Sequence, residues 1–537
     1  MEKTPLLPAY RQVMKKTENI TTAAILLASS ILLSRILGYV REMLLAYKFG
    51  ASETTDAFYA AFQIPDLLNY FLAGGALSIA FIPLYNRVQA RSGKDEANKL
   101  MATVLGTMGA LVIVLTAVLW WKAEALIRFQ FPGFDEPTMA LCVRLTRIVL
   151  PAQIFFVTGG IIQAVLMANR SFHAAALAPL IYNVCTILGG IFLDSSFGIA
   201  GFSIGTLIGA FLGPFLMPLL YSYKHIPIRV RIAPTDRNFA FYMLIAAPLM
   251  FGQTLLTLDE WYGRWFGALL TSGTVAHLSY ARRLMQVPIA VIGQAIGAAA
   301  LPTLSKLWAE DKVKELNKVM LQTMQTGLAL SVLAGAGFIA LARPIVELVY
   351  EHGAFNVIDA EIVAILTLTF GFAVPGWIAQ QIIVRAFYAR GDTWRPMALG
   401  TILSILSIPL YLKLSETEGS RGIAFAGVIG MTVSAVATIL YARAMHGAPK
   451  FVPLLLSLGS SIMIALPSIG AAWVVLRLRV AHLPLLDWHL KWVALFDLCL
   501  GGGVFAAIAL FGIWLVGEEG MQDYLHKIIK RVFKVSF

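Results

Sequence analysis

The sequence is poor in charged side chains. Charged residues make up 13% of its 537 residues and hydrophobic residues 58%, whereas soluble proteins carry about a quarter charged residues. This composition excludes an ordinary soluble globule and indicates an all-α polytopic membrane protein. The short alternating segments of an outer-membrane barrel are also lacking, because the apolar runs are long and continuous.

The sequence also lacks the residue patterns of catalytic and metal sites. Its three cysteines, Cys142, Cys185 and Cys499, lie in apolar runs without CxxC spacing, so they are expected to be small hydrophobic residues and not metal ligands or disulfide partners. The eight histidines do not cluster, and no hydrolase, nucleotide-binding or zinc-protease motif stands in a usable context. We therefore expect no enzymatic activity, no metal and no cofactor.

Fourteen apolar segments recur along the chain and predict fourteen transmembrane helices. They lie at 25–48, 54–86, 100–121, 138–168, 174–194, 199–222, 238–262, 271–303, 319–342, 357–388, 396–413, 421–444, 452–476 and 491–516. Several are longer than a bilayer requires and contain proline or glycine, so bent or broken helices are expected at Pro65, Gly74–Gly75, Pro151, Pro288 and Pro375.

The net charge of +12 is typical of basic cytoplasmic loops in so apolar a chain, and no nucleic-acid partner is expected. Basic residues concentrate in the N-terminal tail, in the loops after helices 2, 6 and 8, and at the C-terminus, whereas the odd-numbered loops are richer in acid. The positive-inside rule therefore places both termini in the cytoplasm. The loop between helices 13 and 14, with Arg477, Arg479 and Lys491, is an exception. The last stretch, 521–537, is predicted to be a basic amphipathic segment on the inner leaflet.

Two blocks of sequence repeat at nearly the same spacing. Residues 81–99 match 300–318, and residues 167–179 match 388–400. Because six predicted helices separate the copies, the two halves have the same orientation and form a parallel repeat. The predicted domains are an N-lobe at 1–222, a C-lobe at 223–446, and helices 13 and 14 with the tail at 447–537.

The first apolar segment, within Thr22–Gly50, carries charge near its middle. On a helical wheel Arg35, Arg41 and Glu42 share one polar sector with Ser34. A charge that faces lipid at the centre of a span costs at least a few kcal/mol, so this sector is predicted to face a wet or anion-filled interior. The alternative is a buried structural Arg–Glu pair.

Further charges stand in the first helices of each predicted lobe. They are Asp56, the group Asp259, Glu260 and Arg264, and the pair Arg282 and Arg283. Guanidinium groups bind phosphate oxygens bidentately and stay charged, so a cavity lined by Arg35, Arg41 and Arg283 is predicted to hold a phosphate or pyrophosphate. Asp259 and Glu260 are candidates for coupling to a cation such as Na⁺ or H⁺, and the membrane potential is the other candidate energy source.

The stretches SRILGYVREMLLAYKFGASETTDAFYAAFQIPDLL, YARRLMQVPIAVIGQAIGAAALPTLSK, HGAFNVIDA and FYARGDTWRPM resemble the MurJ (MviN) lipid II flippases of the multidrug/oligosaccharidyl-lipid/polysaccharide exporter superfamily. The resemblance implies a two-lobed transporter in the bacterial inner membrane, which flips an undecaprenyl-pyrophosphate-linked peptidoglycan precursor and works beside membrane lipids and cell-wall synthesis proteins. It implies that Arg35, Arg41, Glu42, Asp56 and Arg283 bind substrate, and that helices 13 and 14 hold the lipid tail.

The sequence departs from the family pattern at several charged positions. Asn69 and Tyr70 replace paired arginines, Ala73–Gly74–Gly75 replaces an Ala-Glu-Gly sequence, and Gln286 stands where an acid often follows the helix 8 arginine. Two other functions therefore stay open, a flippase for another polyprenyl-linked oligosaccharide and a non-transporting membrane scaffold. A drug–cation antiporter is disfavoured because it would need an apolar or acidic cavity.

Overall fold

The structure is a computed structural model that describes residues 7–73, 80–223, 226–256, 258–482, 490–517 and Gln522. Every regular element in these ranges is a helix. Within them, eight helical stretches are long and apolar enough to cross a membrane, and a ninth follows if the bent pair Val357–Gly371 and Val374–Ala389 is one span. The predicted fold class is confirmed, and the count of fourteen spans is consistent with these helices.

The chain folds into two compact units. Unit 1 consists of Met1–Leu45 and Ala57–Thr254. Its described helices are α1 (Leu7–Phe49), α2 (Glu53–Ala61), α3 (Gln63–Ala73), α4 (Ile82–Gln130), α5 (Glu136–Val149), α6 (Ala152–Ala168), α7 (His173–Phe192), α8 (Asp194–Phe197), α9 (Ala200–Ala210), a π-helical segment (Phe211–Leu216), α10 (Met217–Tyr223) and α11 (Arg237–Leu256). The last residues of α1 and α11 and the first residues of α2 belong to unit 2.

Unit 2 consists of Ala46–Asp56 and Leu255–Phe537. Its described helices are α12 (Leu258–Gly267), α13 (Thr274–Pro288), a π-helical segment (Ile289–Gly293), α14 (Gln294–Ala309), α15 (Val313–Val349), α16 (Val357–Gly371), α17 (Val374–Ala389), α18 (Trp394–Leu406), α19 (Ile408–His446), α20 (Phe451–His482) and α21 (Leu490–Val516). α11 belongs to unit 1 although it lies beyond residue 222, and the turn after α1 belongs to unit 2 although it lies before that residue. The two units therefore divide the chain differently from the predicted lobes. The lobe boundaries at 222 and 446 stay a prediction.

Several helices are longer than their apolar segments. α1 begins at Leu7, well before the predicted start, and α4 runs through the loop predicted between helices 2 and 3. α4 breaks only at Gly93, where φ is 87°, and α19 breaks similarly at Gly419, where φ is 59°. Glycine adopts this left-handed conformation at low steric cost. Each of these two predicted loops is thus reduced to a single break at glycine, because polar helical turns continue the helices beyond the apolar segments.

The predicted helix breaks at proline are confirmed for three spans. α5 ends at Val149 and α6 begins after Pro151. Pro288 closes α13 and is followed by a π-helical segment, and Pro375 lies in the first turn of α17 after the bend from α16. α2 and α3 also break just before Pro65, whereas Gly74 and Gly75 lie outside the described residues.

The internal repeat is visible in the order of the helices. Each unit has a long helix, α4 or α15, followed by a broken pair, α5–α6 or α16–α17. Both pairs start at an extended residue whose side chain accepts a backbone N–H, Asp135 in unit 1 and Asn356 in unit 2. Such caps satisfy donors that the first helical turn leaves free.

Unit 1 has a core between α3, α4, α6 and α11. Phe81 and Tyr242 are fully buried there, with ring centroids 6.0 Å apart. The chain before α11 lies against α4, because the Arg231 backbone N–H donates to the Ala102 carbonyl at 3.0 Å. A Cβ on Gly106 would approach the Arg231 carbonyl oxygen to 2.4 Å, so this close approach requires glycine.

In unit 2, three turns meet at one end of the helices. The Ala354 backbone N–H, in the turn between α15 and α16, donates to the Tyr47 carbonyl at 2.8 Å. Cβ atoms on Gly50 and Gly273 would lie 2.5 Å from the carbonyl oxygens of Ala354 and Ala51 respectively. These turns follow predicted helices 1, 7 and 9. Loops after odd-numbered spans lie on the same side of the membrane, so the contact between these turns agrees with the predicted order of spans.

Candidate functional site

Glu42 is the centre of a buried polar contact in unit 1. One carboxylate oxygen accepts a 2.7 Å hydrogen bond from Nη2 of Arg41, and the other accepts a 2.5 Å hydrogen bond from the hydroxyl of Tyr59. The side chain of Glu42 is 3% exposed and that of Arg41 is 19% exposed. The geometry therefore corresponds to the alternative left open by the sequence, a buried Arg–Glu pair, and Arg41 keeps part of its guanidinium accessible.

The remaining polar residues of α1 divide between packing and exposure. Ser34 accepts a 3.1 Å hydrogen bond from the Asn183 amide, and the Ser30 hydroxyl donates to the Ala176 carbonyl, so this side of α1 contacts α7. Arg35 is exposed, in a stretch whose Leu32 and Ile36 are also exposed. The predicted polar sector is thus partly a helix contact, with Arg35 its exposed cation.

Asp56 accepts hydrogen bonds from backbone groups of unit 2. It is 3% exposed, and its two oxygens accept hydrogen bonds of 2.7 Å from the backbone N–H groups of Gly273 and Ala276. These donors belong to the start of α13, where a carboxylate also interacts favourably with the helix dipole. Asp56, a predicted substrate ligand, therefore caps α13 in this structure.

Arg283 is half-buried on α13 and donates to the Gln286 side-chain oxygen at 3.4 Å. Gln286 is neutral, so it orients the guanidinium without cancelling its charge. The preceding Arg282 lies over the Trp377 ring, 6.0 Å from its centroid.

Asn69, which like Gln286 departs from the family pattern, lies in unit 1. Its side-chain amide donates to the Gln153 side-chain oxygen at 2.9 Å.

The predicted coupling residues lie on α12. Glu260 is half-buried, and the side chain of Asp259 lies outside the described part of the structure. The helix is fixed by aromatic contacts, since the Tyr262 hydroxyl donates to the Ser404 carbonyl at 3.1 Å and Phe266 stacks on Tyr411. In the described ranges, no three His, Cys, Asp or Glu side chains lie together as a metal site would require. The coupling role of Asp259 and Glu260 stays a prediction.

Sequence reasoning missed one intramembrane arginine. Arg385 lies on α17, half-buried, and its side chain is 3.6 Å from the position of a Cβ on Gly297 of α14. Among the described residues no carboxylate forms an ion pair with it. The signal was present in the sequence, because an arginine interrupts the apolar run from Ile382 to Phe387.

Sequence reasoning also missed a buried His–Asp contact and a buried salt bridge in unit 2. His277 Nε2 lies 2.9 Å from Asp359 Oδ1, with side chains 9% and 11% exposed. Arg479 of α20 and Asp497 of α21 form a salt bridge with both side chains about equally buried. Each pair joins two different helices or turns, 82 residues apart for His277 and Asp359 and 18 apart for Arg479 and Asp497, so no pattern within one helix indicates it.

The predicted site residues thus fall into two groups. Arg35, Arg41 and Glu42 belong to unit 1, and Asp56, Glu260 and Arg283 to unit 2. Within its own unit, the structure brings Glu42 against Arg41 and Tyr59. It places Asp56 on the backbone of α13, the helix that carries Arg283, without a side-chain contact between the two.

Comparisons with known proteins give the family. The model of the family "Lipid II flippase MurJ" matches residues 45–485. A probable lipid II flippase MurJ of Rickettsia prowazekii is 28% identical over 77% of this chain and 81% of its own length, and the lipid II flippase MurJ of Burkholderia cenocepacia is 27% identical over 72% and 77%. A solved structure of lipid II flippase MurJ, in an inward closed conformation, superposes with a TM-score of 0.74 at 23% identity, covering 91% of this chain and 99% of that one. An inward-facing multidrug resistance transporter of the MATE family, in the MOP superfamily, shares the fold with a TM-score of 0.64 at 16% identity over 79% and 98%. This chain belongs to the lipid II flippase MurJ family.

Proposed function

We propose that this protein flips lipid II, an undecaprenyl-pyrophosphate-linked peptidoglycan precursor, across the bacterial inner membrane by alternating access. The observation that carries the proposal is the family match over residues 45–485, which extends through both compact units. The protein is a transporter and not an enzyme in this proposal, and both of its termini are cytoplasmic. Its partners are the lipid-linked substrate, the surrounding lipids and proteins of cell-wall synthesis.

The proposed ligands of the pyrophosphate are Arg35, Arg41 and Arg283. All three stand on apolar helices, where an arginine costs free energy and therefore usually marks a functional site. Glu42 accepts a hydrogen bond from Arg41, and Gln286 accepts one from Arg283. The side chain of Arg35 is exposed. Asp56 acts indirectly in this proposal, because its oxygens cap the helix that carries Arg283.

The lipid tail is proposed to follow α20 and α21. Both helices are apolar and expose large side chains, among them Leu456, Leu466 and Phe511. The energy source is proposed to be the membrane potential, or a cation such as Na⁺ or H⁺ that binds near Asp259 and Glu260 after the substrate leaves. Either would reset the empty carrier.

A second candidate is a flippase for another polyprenyl-linked oligosaccharide. Gln286 and Asn69 favour it, because both are neutral where the family pattern has charges, and both are engaged in hydrogen bonds here. The pyrophosphate would be recognised in the same way, and only the glycan would differ.

Complementation tests the proposal. A bacterium depleted of its own lipid II flippase would express this chain, its Arg283→Gln variant, or its Arg282→Gln variant as a matched neighbour. We expect rescue by the parent and by Arg282→Gln, and failure of Arg283→Gln at equal membrane abundance. Failure of a correctly inserted parent would favour the second candidate. Rescue by all three proteins would contradict the role of Arg283.

For Arg35 the matched pair is Arg35→Lys and Arg35→Gln. Lysine keeps the charge but loses bidentate binding, whereas glutamine loses both. Partial rescue by Arg35→Lys and none by Arg35→Gln is the expected result for a phosphate ligand. Equal rescue by both variants would exclude Arg35 from binding.

A further inference from the structure

A basic groove lies between α4 and α5 in unit 1, apart from every residue assigned to transport above. Its cavity volume is about 440 Å³. One wall is the row Trp120, Glu124 and Arg128 of α4, and the other includes Arg144 and Arg147 of α5. Successive residues of each row stand three or four positions apart, so they share one face of their helix.

The three arginines of the groove differ in how far their charges are compensated. Arg128 donates two hydrogen bonds to the carboxylate of Glu136, at 2.7 and 2.9 Å, and a third to Glu124 at 3.3 Å. Arg147 lies over the ring of Trp120, 5.3 Å from its centroid. Arg144 is exposed and contacts no carboxylate in the described ranges. Three guanidinium groups thus face two carboxylates, which leaves an excess of positive charge at Arg144 and Arg147.

The groove lies where a membrane-spanning helix leaves the hydrocarbon. The apolar part of α4 ends at Trp120, Trp121 and Lys122, residue types that anchor helices at the membrane–water interface. The floor of the groove is apolar, since Met139 and Val143 are buried beneath the arginines. Deeper along α4, Ile113 and Ala117 stand seven and three positions before Trp120, so they continue its row, and both are exposed, as expected for side chains beside an acyl chain.

We propose that this groove binds the phosphodiester of an anionic phospholipid. Arg144 and Arg147 supply bidentate donors for the phosphate, and the exposed apolar row of α4 lies against the acyl chain. A zwitterionic lipid fits less well, because its cationic headgroup would approach Arg144, and the ring face of Trp120 is already occupied by Arg147. Inorganic phosphate fits less well because it cannot use the apolar floor.

Native mass spectrometry of the full chain in detergent tests the proposal. The probes are dioleoyl phosphatidylglycerol and dioleoyl phosphatidylcholine, and the variants are the double change Arg144→Gln with Arg147→Gln and the control Lys122→Gln. Lys122 is a matched control because it is a cation at the same depth that lies over Trp121 and not in the groove. We expect the parent and Lys122→Gln to retain phosphatidylglycerol over phosphatidylcholine, and the double variant to bind it roughly tenfold more weakly.

A second variant, Ala140→Phe, fills the groove without changing its charge. Its expected effect is the same loss of phosphatidylglycerol, with thermal unfolding unchanged since Ala140 is exposed. Equal retention of phosphatidylglycerol by the parent and either groove variant would overturn the proposal. Displacement of the lipid by inorganic phosphate at equal concentration would overturn it too, because the site would then be one for free anions.

Discussion

The carboxylate of Glu42 accepts a 2.5 Å hydrogen bond from the hydroxyl of Tyr59, which joins α1 to α2 within unit 1. The same carboxylate neutralises Arg41. Because Glu42 is buried, its charge would be costly in free energy without the donors Arg41 and Tyr59. The contact therefore fixes Arg41 in one orientation, and its loss should be visible in stability before transport is considered.

Glu42→Gln should destabilise the protein by roughly 3 kcal/mol, because it removes the buried carboxylate charge that faces the Arg41 guanidinium. Tyr59→Phe removes one hydrogen bond and should cost only about 1 kcal/mol. Thermal unfolding in detergent, followed by tryptophan fluorescence, measures both. Similar midpoints for the two variants would show that the charge of Glu42 contributes little.

Asp56→Asn should lower stability by about 1 kcal/mol, because an amide is a weaker acceptor than a carboxylate for the first N–H groups of α13. Glu53→Gln is the matched control, since Glu53 is an exposed acid in the same turn of α2. The second readout is binding of a polyprenyl-pyrophosphate lipid to the folded protein. Loss of binding by Asp56→Asn at an unchanged unfolding midpoint would instead make Asp56 a substrate ligand.

Gly353→Ala should destabilise the protein more than Gly391→Ala. Both glycines have positive φ, 66° and 77°, so alanine is strained at either by roughly 1 kcal/mol. At Gly353 the added Cβ would also lie 2.3 Å from the Tyr47 carbonyl oxygen, whereas nothing lies within 4 Å at Gly391. Unfolding midpoints measure the difference, and equal midpoints would show that the Tyr47 turn can move aside.

The sequence predicted apolar spans, the breaks at Pro151 and Pro288, and the repeated order of helices, because apolar runs, prolines and repeated blocks are local or periodic signals. It placed helix ends poorly where polar turns continue a helix, as in α4 around Gly93. Hydropathy marks the hydrocarbon thickness and not the end of the helix.

The sequence was sufficient to predict which residues of the candidate site carry charge, but not which residues they contact. The sequence singled out Glu42 and Asp56 as charges in apolar helices, but could not show that Tyr59 binds one and the backbone of α13 binds the other. The partner of Asp56 lies 217 residues away, and partners at such separations follow only from the packing of helices. Arg385 stands in predicted helix 10, outside the first helices of each predicted lobe, where the other intramembrane charges cluster.

His352 should make stability depend on pH. It lies in the turn between α15 and α16, against the ring of Tyr47, and its Nδ1 is buried without a hydrogen-bond partner in the described structure. Burial lowers the pKa of His352 below its ordinary 6.5, and Lys491 lowers it further. The fold therefore favours neutral His352, so this contribution is present above pH 6.5 and is lost as the pH falls below that value.

The neighbouring Glu351 titrates with the opposite sign. Burial raises its pKa above the ordinary 4.5, although Arg343 opposes the shift. Its contribution is therefore present at low pH and is lost as the pH rises through the raised value. A pH profile of the parent alone mixes the two groups, and a His352 variant is needed to separate them.

His352→Gln removes both the titration and the contact with Tyr47. The lost contact shifts the unfolding midpoint equally at every pH, whereas the lost titration changes the slope of the midpoint against pH. We expect the parent to be more stable than His352→Gln at about pH 8 and this advantage to shrink by about pH 5.5. Lys491→Gln should reduce the slope in part, because one of the two causes of the lowered pKa is then gone. Parallel curves for the parent and His352→Gln would mean that His352 has the same pKa in the folded and unfolded states.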